Sequence, residues 1–557
     1  MGAIAGIINF KENMYIYGTC NKIIVKAMAE SYMFRNDVEI DDEVGENFAF
    51  SYIKSSQDKS DSFMKKTVAG YEFSVVFDGE LYNKEELKKH LEKKGYEFIF
   101  GNDLEILLYT YIHYGEKVTK MLNGVYSFCI WDSMRQQAFL CRDRLGIKPL
   151  YYVKKDDKII FSSEIKALFN YTDIVPQIEK SALLDFFAFS PLRCDGDVIF
   201  KSIKELKPAH TITINRAGIK TEKYWDFDDF KSDENECNSH EKFHELLEDA
   251  IDKRVSLNNE FYTIVDNTKG SILVNSLSEK NALKSGKIKL SYSFDSDVID
   301  NNTLLRHGII NPFDNGKIEY FDEFVSNKDT QGNTYQNIFY LNGLSKIKKS
   351  NSVIISCVGM DRWISSLFSK HCKSFLDVPL YSDFSVYKTA LIPMVEKTLD
   401  ISAYFEEKMR DLTKNNTVRY INFKRIISGV CDIQYNTLKF LGHSLRNPLL
   451  DYRLFEYLWW MAKMEYKNPF GDEEYLCKEK ETDQYYLDMT LKKLLKILEE
   501  DNAPVLAFFD KQNIIKLLIE NKNLKNSYTK SEMTTLQLAE QIIWLNEVLI
   551  KYKPHLV

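Results

Sequence analysis

Residues 122–132 read LNGVYSFCIWD, and the six from Tyr126 to Trp131 form a short, almost wholly apolar run of aromatic, β-branched and thiol side chains. Such a run is too short for an amphipathic helix and reads as a strand in a layered β structure. Working outward, Ala3 to Phe10, Glu72 to Phe77 and Ile159 to Ser162 have the same character. Two helices interrupt them. The first opens at Asn83, an N-cap residue with Glu86 three positions on, carries Leu87 and Leu91 on one face and stops at Gly95. The second opens at Asp103, spaces Leu104, Leu107, Leu108, Tyr111 and Ile112 at helical intervals and ends at Gly115. Strands broken by a few helices, without strict βαβ alternation, predict an α+β fold for this part.

From Asp226 to Glu241 the chain turns polar (DFDDFKSDENECNSHE), which reads as a solvated linker. Two domains are therefore expected, one over 1–225, including a connecting segment from about residue 170, and one over 226–557. Ser239 is placed to cap a helix in which Phe243, Leu246, Leu247, Ala250 and Ile251 share a face. Short buried strands are expected at Phe261 to Val265 and Val353 to Ser356. From about residue 380 the text reads as helix, closing on an amphipathic segment from Ser531 to Tyr552. The pattern is that of a parallel α/β sheet with a helical C-terminal annex.

The 557 residues are 44% hydrophobic and 28% charged, which excludes a disordered or collagen-like chain. A net charge of -7 with scattered basic residues lacks the electrostatic footprint of a nucleic-acid binder and points to a small substrate. The nine cysteines are odd in number and without a CxxC pair, as expected of reduced thiols in a cytoplasmic protein. No apolar run approaches the ~20 residues that cross a bilayer, so no membrane partner is expected. The nine histidines show no metal-binding spacing, and neither GxGxxG nor GxSxG occurs. Trp459, Trp460 and Trp544 sit in helical text and are assigned to the core.

Six strings carry a resemblance. They are MGAIAGI at the start, FDGELYN at 77–83, LNGVYSFCIWD at 122–132, CRDRLGIKPLYY at 141–152, FSSEIKAL at 161–168 and the pair Tyr224-Trp225. In this order they resemble glutamine-dependent asparagine synthetases of the asparagine synthase B family. The resemblance implies an N-terminal-nucleophile glutaminase-like sandwich followed by an α/β ATP-pyrophosphatase domain of the adenine nucleotide α-hydrolase type. It also marks departures. Where the family has its nucleophilic cysteine, this chain has Gly2, which offers no thiol. By resemblance the glutamine pocket comprises Asp78, Gly79, Glu80 and Asp103. Asp78 replaces an asparagine donor of the oxyanion hole with an acceptor, and Tyr52 replaces the arginine that would hold the glutamine carboxylate. The competing structural reading has Gly79 making a turn while Glu80 and Asp103 satisfy backbone groups or cap helices.

In the second half the resemblance places the pyrophosphate loop on Asp266 to Ile272, where only Ser271 matches the family pattern, and assigns the nucleotide site to Val265, Ser271, Ser356, Cys357 and Asp361. Of the second signature, Ser356 to Arg362, Ser356, Gly359 and Asp361 remain, read as helix-capping relics, while Val358 and Arg362 replace acids. The string LRNPLLD at 445–451 keeps Arg446, Pro448, Leu450 and Asp451 and reads as architecture; the lysine-bearing segment expected near Lys478 is not recognisable. The expectation is a degenerate, catalytically silent family member, a pseudoenzyme acting as partner, scaffold or regulator with an intact paralogue or a second copy. Two alternatives stay open. One is an ATP- and magnesium-dependent amide-bond-forming ligase with a modified site; the other is a sensor that binds a small amino acid.

Overall fold

The computed structural model describes residues 2–32, 38–55, 63–189, 198–230, 239–255, 260–265, 268–293, 334–347, 352–357, 418–469, 484–520 and 530–556, together with short pieces between 307 and 407. In chain order the first part comprises β1 (Ala3–Asn9), α1 (Gly18–Glu30), β2 (Val38–Val44), β3 (Phe48–Ser55), β4 (Phe63–Val68), β5 (Tyr71–Leu81), α2 (Lys84–Glu92), α3 (Asp103–Tyr114), α4 (Val118–Met121), β6 (Gly124–Asp132) and β7 (Gln137–Arg142). It continues through β8 (Tyr151–Lys155), β9 (Lys158–Ser162), α5 (Ile165–Leu168), β10 (Gln177–Ile178), α6 (Lys180–Phe189), β11 (Lys204–Glu205), β12 (His210–Asn215) and β13 (Gly218–Lys223). Two six-stranded antiparallel sheets result, ordered β11-β8-β9-β1-β3-β2 and β13-β12-β7-β6-β5-β4. They face each other across Ile4, Ile8, Phe50, Phe161, Val76, Cys129 and Leu140. On the outer face of the second sheet, Leu107 and Tyr111 of α3 pack on Phe128, Ile130 and Phe139. Strands β1, β6 and β7 are thus covered on both sides, which is why their sequences read as continuous apolar runs.

The second part contains α7 (Ser239–Val255), β14 (Glu260–Val265), α8 (Lys269–Ser285), β15 (Ile288–Ser293), β16 (His307–Ile309), α9 (Thr334–Leu344), β17 (Val353–Ile355), α10 (Val418–Leu441), β18 (Ser444–Arg446), α11 (Tyr452–Lys463), α12 (Gln484–Glu499), α13 (Lys511–Glu520), α14 (Lys530–Tyr552) and β19 (His555–Leu556). Its sheet is ordered β16-β15-β14-β17-β18, and all four pairings are parallel. The C-terminal helices close back on the first part. Phe186 of α6 stacks on Trp544 of α14 at 4.9 Å, and β19 pairs with β10.

Three local expectations need correction. Asn83 does not cap α2 with its side chain; its amide instead donates to Met121 O and accepts from Asn123 N–H, tying β5's exit to the start of β6. Gly79 lies inside β5, opposite Tyr126, and makes no turn; a Cβ there would come within 2.2 Å of Val125 O, so glycine serves the close approach of β6. The polar stretch after Asp226 is not solvated throughout: Phe227 is buried against Phe455 and Trp459 of α11, and Asp228 accepts from Trp459 Nε1. Its residues 231–238 lie outside the described set.

Candidate functional site

Strand β5 carries Asp78, Gly79 and Glu80 of the assigned glutamine pocket, and Asp103 at the start of α3 is brought beside its end. Asp78 is buried, with Lys148 Nζ 2.8 Å from its Oδ1 and the Gly2 N–H 3.4 Å from the same oxygen. Lys148 is delivered by the loop after β7, where the Asp143 carboxylate accepts the N–H groups of Leu145, Ile147 and Lys148. Both partners are almost sealed from solvent, at 2% and 0% side-chain exposure, so the pair is a fixed part of the interior. At Gly2 a Cβ would lie 1.6 Å from Ile53 O and 2.8 Å from the ring of Tyr52, so the backbone leaves no room for a side chain.

The other two acids are engaged as well. Glu80 Oε1 accepts from Arg446 Nη2 at 2.8 Å and from Ser444 Oγ at 3.3 Å, both on β18 of the parallel sheet. Asp103 Oδ2 accepts the Leu81 N–H at 3.0 Å, with Lys84 Nζ 3.4 Å from Oδ1; burial raises its pKa, against the pull of Lys84. Asp103 therefore satisfies a backbone group, as the structural reading expected, whereas Asn102, not Asp103, caps α3 by accepting Glu105 N–H. Glu80 does neither: it reaches across to the other half of the chain. Tyr52 is buried in the core between the sheets. Cys20 is exposed on α1.

In the second part, β14 and β17 run side by side, so Val265, Ser356 and Cys357 stand at one edge of the sheet. That carboxyl edge is where open α/β sheets bind ligands. Thr268 caps α8, its Oγ1 accepting the Ser271 N–H at 3.3 Å, and Ser271 is buried. Ser356 donates its N–H to Arg446 O, and Cys357 is packed in the core. Asp266, Asn267, Val358, Gly359, Asp361, Arg362 and Lys478 lie outside the described residues. Among the described residues no group of three or more His, Cys, Asp or Glu is placed to hold a metal ion. The Ser271 amide is engaged by Thr268, and the rest of the assigned nucleotide loop lies partly outside the described residues.

Residues 53–225 match the glutamine amidotransferase domain family. Over 442 residues, 72% of this chain and 72% of the relative, the sequence is 26% identical to asparagine synthetase (glutamine-hydrolyzing) 3 of Bacillus subtilis. It is 36% identical over 157 residues to asparagine synthetase 1 of the same organism, covering 28% of this chain and 24% of that one. To asparagine synthetase 2 it is 29% identical over 267 residues, 45% and 35% of the two chains. The chain is a homologue of the glutamine-hydrolysing asparagine synthetases. Its first part has the N-terminal-nucleophile fold of a class-II glutamine amidotransferase, and its parallel sheet is consistent with a second α/β domain. Among the described residues no helix is long and apolar enough to cross a membrane.

Sequence reasoning missed the groups that join the two parts of this asparagine synthetase homologue. Asp451, read only as architecture, is buried and accepts from Asn123 Nδ2 at 3.2 Å, Arg254 Nη1 at 3.1 Å and Arg453 Nε at 2.9 Å. Burial alone would raise its pKa, but the two guanidinium groups outweigh it and hold the carboxyl well below the usual range. Glu164, within FSSEIKAL, accepts from Tyr435 at 3.0 Å and pairs with Lys439 at 3.0 Å, both on α10. Burial opposes its charge, yet Lys166 and Lys439 leave its pKa lowered. The partners lie between 197 and 366 positions apart for Arg254–Asp451 and Glu80–Arg446, beyond the reach of any local pattern.

Proposed function

We propose that this asparagine synthetase homologue does not hydrolyse glutamine and acts as a non-catalytic partner or scaffold, alongside an intact paralogue or a second copy of itself. The observation that carries this reading is the occupied end of β5. Amide hydrolysis of the family's kind needs a nucleophile, a base and a donor for the developing oxyanion. Gly2 supplies no nucleophile and has no space for one. Asp78 is an acceptor already neutralised by Lys148, and a carboxylate beside a developing oxyanion is repulsive. Glu80, the group suited to an α-ammonium, is held by Arg446.

The test is glutamate release from glutamine by the full-length chain and by its Gly2→Cys variant. Neither is expected to exceed a heat-killed control, because the new Cβ has to displace the Ile53 carbonyl; turnover by either protein would refute the reading. A second reading, an ATP-dependent amide-bond-forming ligase, is favoured by the parallel pairing of β14 with β17, whose carboxyl ends stand beside α8. Pyrophosphate release from ATP with aspartate or small peptides separates the two: the scaffold reading expects none.

A further inference from the structure

Between the two parts lies a cavity of about 20 Å³, lined by Tyr82, Ile147 and Lys148 on one side and by Gln434, Tyr435 and Ser444 on the other. Its size admits a single water-sized molecule. One lining group calls for such a molecule. Gln434 is 6% exposed, and its buried Oε1 has no hydrogen-bond partner among the described residues. A buried amide oxygen without a hydrogen bond keeps its full desolvation penalty, and buried polar groups are rarely left so. Lys148 lines the same cavity, and its ammonium has three protons to donate, of which the Asp78 bond at 2.8 Å uses one.

We propose that this seam is a binding site for one neutral, water-sized molecule that donates a hydrogen bond to Gln434 Oε1 and accepts one from Lys148 Nζ. Charge decides the class. A small cation would meet the Lys148 ammonium, and the nearby carboxylates Asp78 and Glu80 already hold their own cations. An anion would meet the carbonyl oxygen of Gln434. A neutral molecule that both donates and accepts satisfies the two sides together. The bridge links the lysine that neutralises Asp78 to α10 of the second part, so the buried pair and the seam share one hydrogen-bonded chain.

Two measurements on the full chain test this. A crystal structure at better than ~2 Å should show one compact density peak within hydrogen-bond distance of both Gln434 Oε1 and Lys148 Nζ. Gln434→Met, which keeps length and removes the acceptor, should lower the melting temperature, because a bridged amide is being deleted. Were Oε1 truly unpaired, the same change would leave the melting temperature unchanged or raise it. No density at the seam, a peak touching only one of the two atoms, or a Gln434→Met variant at least as stable as the parent overturns the proposal. If that variant fails to fold, the density in the parent protein decides.

Discussion

At the end of β5, replacement of one acid-lysine pair would expose how much the interior depends on it. Removing one partner of a buried ion pair leaves an uncompensated charge and costs about 3–5 kcal/mol, whereas replacing both with apolar groups is often neutral. Lys148→Met should therefore destabilise the protein by that amount in urea unfolding, and Lys148→Met with Asp78→Leu should recover most of it. Asp451 gives a pH-dependent counterpart. Its folded-state pKa is depressed, so its contribution is complete above the unfolded carboxylate value of about 4 and is lost as pH falls toward the folded value. The stability difference between the parent and Asp451→Asn, followed by thermal melts from pH 7 to pH 3, should shrink below about pH 4. Asp143 and Asp103, whose pKa values burial raises, act in the opposite sense, which is why the prediction concerns the difference and not the parent alone. Residue chemistry was legible where the family pattern named a pocket position, as with Asp78 and Glu80. What each acid binds was not, because Lys148 and Arg446 arrive from distant loops and strands.

Elements were legible in proportion to their burial and their periodicity. The run from Tyr126 to Trp131 reads as a strand because both faces of β6 are covered, and α3 reads as a helix because its buried leucines recur at helical spacing. Caps were less legible. Asn83 has the right side chain for an N-cap but spends it on Met121 and Asn123, since pinning the exit of β5 to the entry of β6 satisfies two backbone groups at once. Thr268, by contrast, does cap its helix. Thr268→Ala should cost about 1 kcal/mol, read as a shift in the urea midpoint. It should also free the Ser271 N–H; if a nucleotide then binds α8 where the parent shows none, the cap is what closes that helix start to phosphate.

Across the whole molecule, the parts are more entangled than a linker near residue 230 implied. Ile178, Leu183, Phe187 and Phe200 of the connecting segment share one apolar core with Leu498, Phe509, Ile542 and Trp544 of the C-terminal helices. Trp544→Ala should cost about 3–5 kcal/mol and should loosen β10 and α6 as well as α14, seen as faster amide exchange in the segment from Gln177 to Phe187. No local pattern in the sequence announces such a contact, because each side is an ordinary amphipathic stretch whose partner lies about 300 residues or more away.

The central claim is that the acids at the end of β5 are already bonded from within the chain, Asp78 to Lys148 and Glu80 to Arg446, so that the contacts glutamine would need are taken. Its most direct measurement is the melting temperature of the full-length protein across a glutamine titration into the millimolar range, since a ligand that binds the native state stabilises it by mass action. The account predicts a flat response. A saturable rise in melting temperature with glutamine would contradict it.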